Sequence, residues 1–209
     1  MGLSDADQLV TLLGVLGAAL ALLAGALVVR LHGLPTGVDA IREGVSGYAL
    51  TPWATLYRTQ VRATGLAAGC VAAGCALLGG ASPVGLGALL VVAVSRVAIA
   101  EYPTDPSGTT RLSPTGRTHA LLASAAFIGL GIAAPLLGSD PRWEALGDGV
   151  RIVVWVLSVA VPISVLATFG AGAIPGARDR FGLVERTVYA TGLAWLAAMA
   201  AALTVLRTA

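Results

Sequence analysis

The chain has 209 residues, of which 56% are hydrophobic and only 11% are charged, and its mean hydropathy is +0.85. A soluble domain carries about a quarter charged residues, so a soluble fold could not bury this much apolar surface. The formal net charge of +2 and the lack of a basic patch interleaved with aromatic residues argue against a nucleic-acid partner. The chain has no lysine, which excludes Schiff-base and phosphate-loop lysine chemistry.

Six charge-poor stretches have the length of about twenty residues that crosses a bilayer as a helix. These predicted spans are 8–29, 60–79, 83–100, 119–137, 150–169 and 184–206. They lack the alternation of barrel strands, so the sequence predicts an all-α transmembrane bundle forming one domain over residues 1–209. Asp5 and Asp7 precede the first span where a signal peptide would be basic, so this span is expected to remain as a helix.

The arginines are distributed unevenly between the two sides of the predicted bundle. One side, formed by the connections after spans one, three and five, carries Arg30, Arg42, Arg58, Arg62, Arg96, Arg111, Arg117, Arg178, Arg180 and Arg186. The other side carries only Arg142, Arg151 and Arg207. The positive-inside rule predicts that the richer side is cytoplasmic and that both termini are extracytoplasmic, in a multi-pass protein of the cell membrane. Binding of an anionic ligand would produce the same asymmetry for a different reason.

Small residues recur at a spacing of four in the first two spans, as Gly17, Ala21 and Gly25 and as Gly65, Gly69 and Ala73. Such stripes let helix backbones approach closely, and we expect Gly65 and Gly69 to pack helix two against helix one. Contact with a second copy, giving a homo-oligomer, is the alternative.

No metal or cofactor is predicted. Cys70 and Cys75 lie five apart in one helix and point in different directions, which indicates packing residues. His32 and His119 lack the spacing of a metal or haem site, and the two aspartates near the N-terminus are expected to be solvated.

The connection between spans three and four is the most unusual segment. Pro103, Pro106 and Pro114 with two glycines predict a rigid loop. Ser113 is the expected N-cap of helix four, which places His119 more than one turn into that helix. In a functional interpretation, Asp105, Glu101 and His119 transfer protons, while an anionic head group is bound by Arg96, Arg111, Arg117 and Tyr102. In the alternative interpretation, these charged groups only form ion pairs and snorkel at the membrane boundary.

Four segments of the chain resemble the bacterial DUF998 family of multi-helix membrane proteins. They are Val45–Leu50, Tyr102–Pro106, Thr115–His119, and Gly182–Arg186 leading into Trp195. Tyr102 stands where the family usually has Phe. The resemblance implies a six-helix bundle in a bacterial inner membrane and a shared loop site at Pro103, Asp105 and His119. The activity of the family is not generally known, so the resemblance implies no mechanism.

Three functions of different classes follow from these observations. The first is handling of a lipid or isoprenoid at a cytoplasmic-face pocket beneath the third connection, by an enzyme using acid and base groups. The second is a non-catalytic membrane subunit or lipid-binding scaffold. The third, ion-coupled transport, has the least support, because no ionisable residue lies near the middle of a predicted helix. The first function predicts that Asp105 and His119 converge within hydrogen-bonding reach, directly or through one water, over a pocket shared with Arg111 or Arg117.

Overall fold

The computed structural model describes residues 4–206. Within this range six helices are long and apolar enough to cross a membrane. They are α1 (Asp5–His32), α2 (Ala54–Leu78), α3 (Pro83–Ala98), α4 (Pro114–Gly138), α5 (Asp148–Ala173) and α6 (Phe181–Leu203). The described part of the chain contains no strand, so the protein is an all-helical multi-pass membrane protein.

Most helices extend beyond the apolar runs that predicted them. The start of α2 is Ala54 rather than Gln60, and α4 starts at Pro114 rather than His119. Hydropathy places a helix end at the first charged residue, whereas Arg58 and Arg117 lie inside their helices with exposed side chains. In contrast, the C-terminal end of α6 is shorter than predicted, because the helix ends at Leu203 rather than at Leu206.

The turns at two helix starts follow from their local sequences. The predicted N-cap is confirmed: the Ser113 hydroxyl accepts a hydrogen bond from the Gly116 amide at 3.0 Å, and Pro114 is the first residue of α4. The short hairpin between α2 and α3 requires Gly79 and Gly80, whose φ angles of 74° and 69° are disfavoured for other residues.

The six helices form a closed ring in chain order. Each helix packs against the next one, α6 returns to α1, and α2 and α6 also touch across the ring. These two central helices have the largest buried share, and Trp195, Leu196 and Met199 of α6 are almost fully buried. The remaining helices present many exposed apolar side chains, as lipid-facing helices do.

The glycine contacts differ from the prediction for helices one and two. Gly65 faces α3 rather than α1, since a Cβ added there would lie 2.7 Å from the carbonyl oxygen of Ala93. The same addition at Gly69 would meet only the Ala93 side chain, at 3.9 Å. Close packing between α1 and α2 occurs instead at Gly17, opposite Cys70. The stripe predicted close helix contact but not the partner, because a spacing of four marks a helix face without saying what lies against it.

The connections α1–α2, α3–α4 and α5–α6 lie at one end of the bundle, which we call the basic end because it carries ten of the thirteen arginines. Short 3-10 helices lie in these connections, at Val45–Leu50, Ile99–Glu101 and Pro175–Arg180. Ser4 and Leu206, the first and last described residues, lie at the opposite end, where a further 3-10 helix spans Pro141–Leu146.

Candidate functional site

Buried polar side chains from five helices gather at the basic end. The alternating direction of the helices places the starts of α2, α4 and α6 beside the ends of α3 and α5. Each contributes at least one side chain that is at most 7% exposed: Tyr57 from α2, Arg96 from α3, His119 from α4, Thr168 from α5, and Glu185 and Tyr189 from α6. Polar groups in the apolar interior of a membrane protein are costly, so this cluster marks the candidate site.

A cavity of about 520 Å³ lies among these side chains, and we call it the Arg96 cavity. Its walls include all six of them, together with apolar side chains such as Ile99, Phe127 and Phe169. Between α4 and α5 the wall contains Ala120, Phe169 and Ala173, which are exposed residues. The connections above the cavity contribute Ser46 and Thr104 to its wall.

Arg96 is the central charge of the cavity. Its side chain is 4% exposed, and its guanidinium carbon lies 4.8 Å from the centre of the Tyr189 ring, a cation–π geometry. Within residues 4–206 no carboxylate oxygen lies within 4.0 Å of the Arg96 nitrogens. A desolvated guanidinium without an anionic partner is expensive, which makes Arg96 a candidate anion-binding group.

Two further polar residues line the cavity and have unused hydrogen-bonding capacity. The Tyr57 hydroxyl is buried and has no hydrogen-bond partner among the described residues. Glu185 accepts a hydrogen bond from the Val45 amide at 2.6 Å through Oε2, whereas no described residue donates to Oε1. Arg96 and Glu185 thus share one cavity without a direct ion pair.

His119 is oriented by the backbone of the third connection. Its Nδ1 lies 2.6 Å from the carbonyl oxygen of Tyr102. Because a carbonyl only accepts, Nδ1 carries the proton and Nε2 of the neutral ring is left with a lone pair. No described residue donates to Nε2, and His119 lines the Arg96 cavity.

The first connection covers the cavity and is held in place by α6. The bond from Val45 to Glu185 is joined by one from the Leu183 amide to the Ile41 carbonyl, at 3.0 Å. Arg186 donates to the carbonyls of Glu43 and Gly182 at 2.8 and 2.9 Å, and its Nε donates to His32 Nε2 at 2.5 Å. These bonds explain why Gly182–Arg186 and Val45–Leu50 form one structural unit although they are far apart in sequence.

The family model for proteins of unknown function termed DUF998 matches residues 15–202, which include all six membrane-spanning helices in whole or in large part. The chain belongs to the DUF998 family. Comparisons with curated proteins and with solved structures find no match. The resemblance noted in the sequence is thereby confirmed.

Asp105 lies in the segment Tyr102–Pro106, which carried the resemblance to DUF998, and its role is structural. Asp105 Oδ2 accepts from the Ser113 amide and Oδ1 accepts from the Ser113 hydroxyl, both at 2.7 Å. This carboxylate therefore fastens the third connection to the start of α4. No direct hydrogen bond joins Asp105 to His119 among the described residues, so the expected convergence is not a direct bond.

Asp105 nevertheless lies close to the site. It lines a neighbouring, more polar recess of about 500 Å³ whose walls share Ser46, Thr104 and Phe181 with the Arg96 cavity. The hydroxyl and amide of Ser113 use one lone pair on each carboxylate oxygen of Asp105. A loop carboxylate beside a helix start pairs with the nearest free donors, which here are the amide and hydroxyl of Ser113.

The other residues expected at the site lie outside the cavity. Glu101 is exposed and pairs with Arg62, an arrangement typical of a surface ion pair. Tyr102 contributes its carbonyl, while its ring is 39% exposed. Arg111 and Arg117 are exposed, and Arg117 Nε donates to the Leu112 carbonyl at 3.3 Å. Of the predicted residues, Arg96 and His119 come together in the cavity.

Sequence reasoning missed Tyr57, Thr168, Glu185 and Tyr189. Glu185 and Tyr189 are four residues apart and therefore lie on one face of α6, and Glu185 belongs to a segment that carried the family resemblance. A carboxylate in the second turn of an apolar helix was the available signal. Among residues 4–206, no group of three or more His, Cys, Asp or Glu side chains is arranged to hold a metal ion.

Proposed function

We propose that this DUF998 protein binds a lipid or isoprenoid whose head group carries a phosphate or carboxylate, with the acid group beside Arg96. The observation that carries the proposal is a buried guanidinium without a carboxylate partner in a cavity of about 520 Å³. Such a cation is retained at a cost to folding, and an anionic ligand would offset that cost.

The shape of the cavity favours a lipid-like ligand over a water-soluble anion. Its wall between α4 and α5 contains the exposed residues Ala120, Phe169 and Ala173, which supports a lateral route from the bilayer to Arg96. Apolar side chains including Ile99 and Phe127 surround the charged groups, as a pocket for an amphiphile requires. If the basic end is cytoplasmic, the ligand comes from the inner leaflet of the cell membrane.

A membrane-embedded enzyme is the second candidate, and His119 favours it. A neutral imidazole fixed through Nδ1 presents Nε2 as a base toward whatever occupies the cavity. Asp105 and Glu101 are engaged elsewhere, so proton transfer would depend on His119 and Glu185. Turnover is tested by incubating the purified protein with the lipid it retains and searching for a product that is absent with His119→Phe.

The binding experiment uses protein purified in a neutral detergent and extracted for lipid mass spectrometry. The wild type should retain an amphiphile with an acid group that Arg96→Met retains at least about tenfold less, because loss of a charged hydrogen bond costs about 1.5–3 kcal/mol. Arg62→Met, which removes an exposed arginine at the same end, is the matched control and should retain the lipid.

Added probes separate the possible sources of the acid group. Phosphatidylglycerol should rebind to delipidated wild type, and diacylglycerol, which lacks the phosphate, should not. Competition by soluble glycerol 3-phosphate as strong as that by phosphatidylglycerol would reject the lipid-like ligand. Equal retention of the same lipids by the wild type and both variants would reject the site itself, since it would indicate ordinary annular lipid.

A further inference from the structure

Two hydrogen-bond acceptors face the Arg96 cavity alongside the donors that would bind an acid group. His119 Nε2 is one, because the proton of the neutral ring is held on Nδ1 by the Tyr102 carbonyl at 2.6 Å. Glu185 Oε1 is the other, because the bond from the Val45 amide is made to Oε2. Both side chains are at most 6% exposed, so bulk solvent does not satisfy these acceptors as it would on the surface.

The donors and the acceptors belong to different residues of one cavity. Arg96 supplies only donors, whereas His119 Nε2 and the free oxygen of an ionised Glu185 supply only acceptors. A head group consisting of an acid alone would occupy the donors and leave the acceptors unpaired. Buried polar groups that lose their partners disfavour a ligand strongly, which is how such sites discriminate.

We propose that the head group bound in the Arg96 cavity carries a hydrogen-bond donor, a hydroxyl or an ammonium, next to its acid group, and that His119 and Glu185 accept from it. This inference rests on the proposed function, because it assigns the second half of the same head group. It narrows the ligand class from acidic amphiphiles in general to those with an acid and a donor on one head. Glu185 adds a negative charge that suits an ammonium, while His119 suits either donor.

Three phospholipids with equal acyl chains test the inference, each added to delipidated protein in neutral detergent and quantified by native mass spectrometry. Phosphatidylglycerol carries a phosphate and hydroxyls, phosphatidylethanolamine carries a phosphate and an ammonium, and phosphatidylmethanol carries a phosphate alone. The wild type should bind at least one of the first two about five- to tenfold more tightly than phosphatidylmethanol, the effect of one to two hydrogen bonds.

The variants identify the acceptors. His119→Phe should remove most of the preference over phosphatidylmethanol, measured as the ratio of the two affinities in the same variant. Glu185→Gln should weaken phosphatidylethanolamine more than phosphatidylglycerol if the donor is an ammonium, and it provides an independent variant should His119→Phe fold poorly. Glu101→Gln, which changes an exposed carboxylate at the same end, is the control and should leave all three affinities unchanged.

The failures of the two proposals are distinguishable. Equal binding of all three lipids by the wild type, abolished by Arg96→Met, would overturn the paired donor and acceptor while leaving the proposed function intact. A preference that survives both His119→Phe and Glu185→Gln would also overturn it. Binding of all three lipids that is indifferent to Arg96→Met would overturn the proposed function together with this inference.

Discussion

The guanidinium of Arg96 lies over the ring of Tyr189, 4.8 Å from its centre, and has no carboxylate within 4.0 Å among the described residues. An aromatic face compensates a buried cation by about 2 kcal/mol, which is less than the several kcal/mol needed to desolvate it. Folding alone therefore does not account for an arginine at this position, whereas the proposed anionic ligand would.

Replacing Arg96 tests that reasoning in the ligand-free protein. Arg96→Met should leave the free energy of unfolding unchanged or up to about 2 kcal/mol higher, because a desolvated charge is removed and the apolar volume is kept. Thermal unfolding of the delipidated protein in detergent measures this change in the free energy of unfolding. Arg186→Met is the control and should lose about 3 kcal/mol, since Arg186 donates hydrogen bonds to Glu43, Gly182 and His32. A comparable loss in Arg96→Met would mean that Arg96 is structural.

The contacts between α2 and α3 predict unequal effects of two glycine substitutions. Gly65→Ala places a Cβ 2.7 Å from the Ala93 carbonyl oxygen and should cost about 1–2 kcal/mol, the strain being partly offset by helix propensity. Gly69→Ala, one turn later on the same helix, meets its first atom at 3.9 Å and should be neutral or slightly stabilising. Melting temperatures of the two variants compare them directly, and similar values would contradict the packing at Gly65.

The bonds of Asp105 predict a structural rather than a ligand-binding phenotype. Asp105→Ala should raise the hydrogen-exchange rate of residues 103–113 and lower the free energy of unfolding by about 1–3 kcal/mol, because Ser113 loses two acceptors. His119→Phe should leave exchange in residues 106–113 largely unchanged. Unchanged exchange in Asp105→Ala combined with complete loss of lipid would instead assign Asp105 to the ligand.

The opposite end of the bundle contains a pair that makes stability depend on pH. The Arg142 side chain donates to Asp140, and this bond, opposed by burial, lowers the pKa of that carboxyl below its ordinary value. A depressed pKa in the folded state stabilises the protein above the pKa of the unfolded state, and the contribution is lost as the pH falls below about 4. Between pH 6 and pH 3 the melting temperature of the wild type should therefore fall more than that of Asp140→Asn. An equal fall in melting temperature for the wild type and Asp140→Asn would show that the pair of Asp140 and Arg142 does not contribute to the pH dependence of stability.

The arginine asymmetry predicts the orientation in the membrane. Single cysteines at Ser107 and Gly176, in a background without Cys70 and Cys75, should be labelled from the cytoplasmic side by a membrane-impermeant maleimide, and one at Ser139 from outside. Ser139 is exposed, whereas the adjacent Gly138 is buried against Ser158 and suits the experiment less well. The reverse labelling would indicate that the arginines at the basic end serve a ligand.

The sequence alone determined the six membrane-spanning helices, the family, the cap at Ser113, and the two residues Arg96 and His119 that meet in the cavity. These properties depend on composition, local hydrogen bonding and short motifs, all of which can be recognised from the sequence. Tertiary structure decided the rest. Tyr57, Thr168 and Glu185 join the site only because α2, α5 and α6 bring distant turns to one level of the bundle. Asp105 and Gly65 have partners that hydropathy and spacing do not specify, because a nearby free amide or a neighbouring helix decides what each residue contacts.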